Sequence, residues 1–103
     1  MTSRTRMSPK ERRAEILAAA LRVAVMTGYN RITRDDIAIA AGCSPALVSD
    51  ALGTMVALRR GVMRAAVAGR VLPVIAQGLA LRDPHALRAP PELRALAAAS
   101  LVV

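Results

Sequence analysis

Few side chains in this sequence could perform catalysis. The 103-residue chain has one cysteine, Cys43, and one histidine, His85. It has no glycine-rich phosphate loop, no paired metal ligands and no second histidine to activate a nucleophile. We therefore expect no enzyme and no cofactor or metal. A lone cysteine excludes a disulfide within the chain and is typical of a reducing, cytoplasmic compartment, and we interpret Cys43 as buried filler rather than a redox switch.

Positive charge is the other chemical feature of the sequence. The formal net charge is +8, and residues 1–34 hold eight Arg or Lys against two Glu. Such clustering is typical of nucleic-acid binding, although it also suits anionic lipid or an acidic protein. Glu15 and Arg22 interrupt the first apolar run, so we expect neither a signal peptide nor a membrane span. The last helical stretch carries only Glu92 and Arg94, which argues against a membrane-surface helix.

Hydroxyl side chains mark the starts of the first three predicted helices, at Ser8, Thr33 and Ser44. Each can accept a hydrogen bond from a free N–H of the first turn, which is the preferred N-cap arrangement. The predicted helices cover about residues 9–27, 34–41 and 45–52. Gly28 is expected to end the first, and Gly42 suits the tight turn between the second and third because glycine tolerates a positive φ.

The rest of the chain is also predicted to be helical. Thr54 caps a fourth helix that should end near Leu72, and Pro73 and Pro91 start two shorter helices on either side of a proline-containing segment. The expected fold is all-α, with a three-helix helix-turn-helix head, a long fourth helix and short C-terminal helices. The expected divisions are a basic arm, the head, and a helical connector and dimerisation tail, over residues 1–8, 9–53 and 54–103.

Three stretches carry a resemblance to a known family: ILAAALRVAVMTGYNRIT (16–33), DIAIAAGCS (36–44) and, more weakly, LGTMVAL (52–58). In order and spacing they resemble the DNA-binding head of TetR-type transcriptional regulators. The resemblance spans about residues 9–65. It implies a repressor that binds a palindromic operator in double-stranded DNA as a homodimer, with the third helix in the major groove.

Several positions depart from the family pattern. Ser49 stands where the family usually has Tyr, and Met55 stands where a basic residue is usual; in the family, both side chains hold backbone phosphates. The His-Phe pair is replaced by Ala51 and Leu52. These departures keep an alternative open, namely a protein-interaction module that retains the scaffold without specific DNA binding. The C-terminal part is shorter than the family's ligand-binding domain, so we expect no small-molecule inducer.

The resemblance assigns the DNA contacts to two groups of residues. Contacts to base edges are expected from the start of the third helix, at Ser44, Pro45, Ala46, Ser49 and Asp50. Contacts to phosphates are expected from the second helix and the basic N-terminal region, at Thr33, Arg34, Arg4, Arg6, Lys10 and Arg13. Because no arginine lies at the start of the third helix, affinity should depend on phosphates and fall steeply with salt.

Apolar residues of the C-terminal stretches recur at helical spacing. We interpret them as a dimer interface formed by Val74, Ile75, Leu79, Leu93, Leu96 and Leu101. Tyr29, the only aromatic residue, is expected to pack under the first helix with its hydroxyl toward solvent or a phosphate. We expect His85 to be a surface loop or capping residue.

Overall fold

Seven α-helices make up most of residues 7–100, the part of the chain that the computed structural model describes. They are α1 (Pro9–Thr27), α2 (Arg34–Ala41), α3 (Pro45–Leu52), α4 (Met55–Ala68), α5 (Leu72–Ala80), α6 (Pro84–Leu87) and α7 (Pro91–Ala99). These residues contain no strand, so the predicted all-α class is confirmed. None of the described helices is long and apolar enough to cross a membrane.

Hydroxyl N-caps begin the first four helices. The Ser8 Oγ accepts a hydrogen bond from the Glu11 N–H at 3.1 Å, and the Ser8 N–H donates to Glu11 Oε1 at 2.9 Å, which completes a capping box. The side chains of the other three N-caps each accept from a backbone N–H in the first turn of their helix, at Thr33, Ser44 and Thr54. The predicted boundaries of α1, α2 and α3 are confirmed.

The C-terminal half contains one helix more than the sequence predicted. The fourth helix ends at Ala68 rather than near Leu72, because the chain turns through Arg70, which has a positive φ of 56°. The proline-containing segment forms α6, whose N-cap Asp83 accepts hydrogen bonds from two backbone N–H groups of that helix. A helix of one turn shows no apolar periodicity, so the pattern gave no sign of it.

One apolar core contains side chains from all seven helices. Its largest fully buried members are Ile16, Ile32, Ile37, Val48, Leu58, Val62, Met63, Val74, Ile75 and Leu93. The predicted division at residue 53 coincides with a break between helices but not with a break in the core. Within it α4 and α5 pack against α1, α6 packs on α4 and α5, and α7 packs on α5.

This core accounts for three residues expected at a dimer interface. Val74, Ile75 and Leu93 are at most 2% exposed in the single chain. Their helical spacing reflects the packing of α5 and α7 within one molecule, so the prediction that they contact a second copy is wrong. Periodicity identifies the apolar side of a helix, but it does not say which chain covers that side.

A polar cluster holds the loop between α1 and α2 against the C-terminal helices. The Tyr29 N–H donates to Gln77 Oε1 at 2.8 Å, and Gln77 Nε2 donates to the Ala24 carbonyl at 3.3 Å. The Tyr29 hydroxyl donates to Asp83 Oδ2 at 3.1 Å. Burial, with the Asp83 carboxylate beside it, raises the pKa of Tyr29 to about 12. The hydroxyl thus binds the N-cap of α6, contrary to the expectation that it faces solvent or a phosphate.

Candidate nucleic-acid interface

One side of α3 gathers four of the five residues predicted to contact bases: Pro45, Ala46, Ser49 and Asp50. At about 100° per residue, their side chains fall within an arc of about 140°. Ser49 is half-buried and the other three are exposed. Two other residues of α3, Val48 and Leu52, belong to the core. The side chains on the exposed side are all small, so α3 can approach another surface closely.

The two predicted hydroxyl contacts, Thr33 and Ser44, also cap helices. Thr33 Oγ1 accepts from the Asp36 N–H at 3.1 Å, and Ser44 Oγ accepts from the Leu47 N–H at 3.2 Å. Both residues are exposed. A hydroxyl that accepts in this way keeps its own proton for donation, so each remains able to donate to an acceptor outside the protein.

Three helix N-termini meet at one shallow depression of about 420 Å³, here called the N-terminal depression. Its lining includes Thr33, Arg34, Asp35, Pro45, Met55 and Arg59, which come from the starts of α2, α3 and α4. The first N–H groups of a helix lack partners within that helix, and its dipole places partial positive charge at this end. Helix starts of this kind favour anions.

Arg34 and Arg59 add full positive charge to the N-terminal depression. Arg34 Nη2 donates to the Gly53 carbonyl at 3.4 Å, which fixes the side chain near the end of α3. The Nε atoms of both arginines are buried and have no hydrogen-bond partner within residues 7–100. The remaining N–H groups of the two guanidinium groups can donate to an oxygen anion placed in the depression. Two exposed acidic residues in the first turn of α2 oppose this charge: Asp35, which lines the depression, and Asp36.

A second depression, of about 360 Å³, lies between α1 and α3. It brings the predicted residues Arg13 and Asp50 together with Arg12. Lys10 is exposed in the first turn of α1, next to Pro9, which also lines this depression. Arg4 and Arg6, which were also predicted to contact phosphates, lie outside the described residues. Asp50 of α3 therefore lies beside Arg12 and Arg13. Pro45, the first residue of α3, borders the depression that Arg34 and Arg59 line.

The sequence reasoning missed two residues of this site, Arg12 and, more importantly, Arg59. Arg59 lies four residues after Met55 and therefore on the same side of α4. Met55 stands at a position where the family resemblance implies a basic side chain. Arg59 lies one helical turn after Met55, and this spacing is the signal that would have identified Arg59 as the replacement for that basic side chain.

The outer side of α7 remains exposed. Leu96 is 48% exposed, and exposed neighbours extend along the same side at helical spacing, at Glu92, Ala95 and Ala99. Leu79, also expected at a dimer interface, is half-buried and packs against the core. Leu101 lies outside the described residues. Of the six predicted interface residues, Leu96 is the one that a second chain can reach within the described part of the protein.

The described residues contain no group of three or more His, Cys, Asp or Glu placed to hold a metal ion. Cys43 lies in the turn between α2 and α3 and is half-buried. No protein-family model, curated protein or solved structure matches the chain. Its function must therefore be inferred from the chemistry of the site.

Proposed function

We propose that the chain is a sequence-specific DNA-binding transcriptional regulator with a TetR-type head, a repressor that binds a palindromic operator as a homodimer. The observation that supports this most strongly is the setting of α3. Its exposed side borders Arg34 and Arg59 at one end and Arg12 and Arg13 along its length. A helix that enters the major groove needs this arrangement, because phosphates border the groove on both sides.

Base recognition falls to the exposed side of α3. Ser44 and Ser49 have hydroxyls that can donate to or accept from base edges, and Asp50 can accept from a cytosine amino group. Pro45 and Ala46 offer apolar contact to a thymine methyl. None of these side chains is long, so the helix has to lie deep in the groove for them to reach the bases.

In this proposal the N-terminal depression holds a backbone phosphate. The phosphate accepts hydrogen bonds from the free N–H groups at the start of α2 and from the Thr33 hydroxyl. Arg34 and Arg59, which both line the depression, neutralise its charge. Arg59 takes the role that the resemblance assigns to a basic residue at the position of Met55.

A single α3 covers only a few base pairs, so tight binding calls for two heads on a two-fold site. With Val74, Ile75 and Leu93 buried in the monomer, we propose that the outer side of α7 forms the dimer contact. Leu96 is the largest apolar side chain on that side. A symmetric pair would bury the Leu96 side chains against each other or against the partner's α7.

The role of α3 is tested by comparing the DNA affinities of Ala46→Glu and Ala18→Glu. The affinities are measured by fluorescence anisotropy with a duplex that the wild-type protein selects from random DNA. Both alanines are exposed and both variants change the charge equally, but Ala46 lies on α3 and Ala18 in the middle of α1. We expect Ala46→Glu to weaken binding by about 100-fold, because a carboxylate in the groove faces phosphates and base acceptors.

Ala18→Glu is the matched control and should stay within about threefold of the wild-type affinity. Equal affinities for Ala46→Glu and the wild-type protein would remove α3 from the interface. A failure of the wild-type protein to bind any duplex, even at low salt, would instead support the protein-interaction module.

A further inference from the structure

A third depression, of about 410 Å³, lies between the α1–α2 loop, α4 and α6. We call it the α4–α6 depression. One part of its lining carries basic or donor groups, from Arg59, Arg60 and His85. The two guanidinium groups present N–H donors in a fork that matches the oxygens of a phosphate or carboxylate, and the imidazole of His85 can add a further donor.

Asp83 also lines this depression, but its carboxylate is already engaged within the protein. Oδ1 accepts from the His85 and Ala86 N–H groups at 2.9 and 3.2 Å, and Oδ2 accepts from the Tyr29 hydroxyl. Asp83 therefore serves to cap α6 and hold Tyr29, and the two arginines outweigh its charge. The lining as a whole attracts anions.

The remaining part of the lining is apolar. Val56, Pro84 and the ring of Tyr29 contribute to it, and Val56 is 64% exposed. A bare inorganic anion would leave this apolar part uncovered. The volume lies within the range of pockets that hold small organic molecules, which commonly combine an apolar lining with a few polar groups that fix orientation.

Arg59 connects the α4–α6 depression to the N-terminal depression, because its side chain lines both. We propose that the α4–α6 depression binds a small organic anion, with a phosphate or carboxylate head and an apolar portion, and that this ligand weakens DNA binding by drawing Arg59 away from a backbone phosphate. The second part rests on the proposed function. The expectation that there is no inducer was based on the length of the C-terminal part, whereas this site needs only α4, α6 and the α1–α2 loop.

The binding step is tested without DNA. The full chain is titrated with phenyl phosphate and with benzoate, and amide and arginine side-chain NMR shifts are followed. We expect saturable shifts at Tyr29, Arg59 and His85 with at least one of the two probes. Arg60→Ala should weaken that binding about fivefold, whereas Arg64→Ala, which removes an exposed arginine of the same helix outside the depression, should leave it unchanged.

Two results would overturn the site. One is the absence of saturable shifts with both probes, and the other is equal binding by the Arg60→Ala and Arg64→Ala proteins. If neither probe binds and Arg60→Ala also lowers DNA affinity well beyond Arg64→Ala, the depression belongs to the DNA surface and holds a DNA phosphate.

The coupling step is tested by anisotropy with the selected duplex. A probe concentration that half-saturates the wild-type protein should lower the DNA affinity of the wild-type protein and of Arg64→Ala, and it should have a smaller effect on Arg60→Ala, which binds less of the probe. Unchanged DNA affinity at full occupancy would overturn the coupling while leaving the site intact. If the wild-type protein binds no DNA, the proposed function fails and the NMR titration still decides the binding site.

Discussion

The Tyr29 hydroxyl donates a hydrogen bond to Asp83 Oδ2 at 3.1 Å and so joins the loop before α2 to the N-cap of α6. The same Asp83 carboxylate accepts two backbone N–H groups of α6. Gln77 adds a second link from α5 to the same loop. The C-terminal helices therefore fix the position at which the chain enters α2, the helix whose start lines the N-terminal depression.

The first prediction concerns the ionisation of Tyr29. It is the only tyrosine and the chain has no tryptophan, so phenolate absorbance reports on this one group. The native protein should titrate with a midpoint near pH 12, and the denatured chain near pH 10. Because the folded pKa is the higher one, the stabilising contribution is complete below about pH 10 and is lost as the pH rises through 12.

Asp83→Asn tests the electrostatic part of that shift. Removing the carboxylate charge should lower the native Tyr29 pKa toward the denatured value, because burial alone then opposes ionisation. Asp50→Asn, at an exposed position on α3, should leave the midpoint where it is. A native midpoint near pH 10 in the unmodified protein would contradict the hydrogen bond.

A second prediction compares two glycines within helices. A Cβ on Gly78 would lie 2.8 Å from the Ala86 Cβ and 3.1 Å from Met63 Sδ, so α5 approaches α4 and α6 too closely for alanine. Gly78→Ala should lower the free energy of unfolding by about 1–3 kcal/mol through overpacking. The measurement is urea denaturation followed by circular dichroism.

Gly61 in α4 is the matched control. The nearest atoms to an added Cβ there are Leu17 Cδ1 at 3.8 Å and Arg13 Nη2 at 3.9 Å, which are ordinary contacts. Gly61→Ala should raise the free energy of unfolding by about 0.5–1 kcal/mol, because alanine favours the helix. Equal effects of the two substitutions would mean that α5 does not approach α4 and α6 so closely.

A third prediction separates the core from the proposed dimer contact. Ile75→Ala should reduce stability by about 2–5 kcal/mol, since the side chain is fully buried within the monomer. Leu96→Glu should leave monomer stability nearly unchanged and abolish dimerisation, because half of the side chain is exposed on α7. Sedimentation velocity measures the oligomeric state and thermal unfolding measures the stability.

Leu87→Glu, at an exposed position of α6, is the control for an added charge and should remain dimeric. A monomeric wild-type protein at the concentrations used for DNA binding would rule out the α7 dimer, and so would a dimer that persists in Leu96→Glu.

The fourth prediction concerns phosphate contacts. Arg34→Ala and Arg59→Ala should each weaken DNA binding about tenfold, and each should reduce the slope of log affinity against log salt by about 1. Both losses should be the same on different DNA sequences, since phosphates carry no sequence information. Arg64→Ala is the control, because its side chain is exposed on α4 and lines neither depression. If both variants keep the wild-type slope of log affinity against log salt, no DNA phosphate binds in the N-terminal depression.

The sequence predicted the first three helices closely because their ends depend on local chemistry. A hydroxyl N-cap, a proline at the first position and a glycine after the last turn act within a few residues of each other, as Ser8, Pro9 and Gly28 do. The end of α4 was predicted near Leu72 and lies at Ala68. The chain turns at Arg70 with a positive φ, which arginine seldom adopts, so the residue type does not predict the turn.

The contacts that complete the candidate site are distant in sequence, and periodicity does not report them. The Tyr29–Asp83 and Tyr29–Gln77 hydrogen bonds span 54 and 48 residues. Arg59 reaches the N-terminal depression only because α4 packs beside the starts of α2 and α3. The apolar side of α5 was recognised, but whether the same chain or a second copy covers it depends on tertiary packing.

Specific DNA binding is tested by selecting duplexes from a random DNA library with the wild-type protein and then measuring their affinities across a range of salt concentrations. We predict enrichment of one palindromic sequence, bound by two protomers about 1,000-fold or more tighter than a scrambled duplex at physiological salt. Enrichment of no sequence, with equal binding of all duplexes that disappears as salt rises, would contradict this prediction.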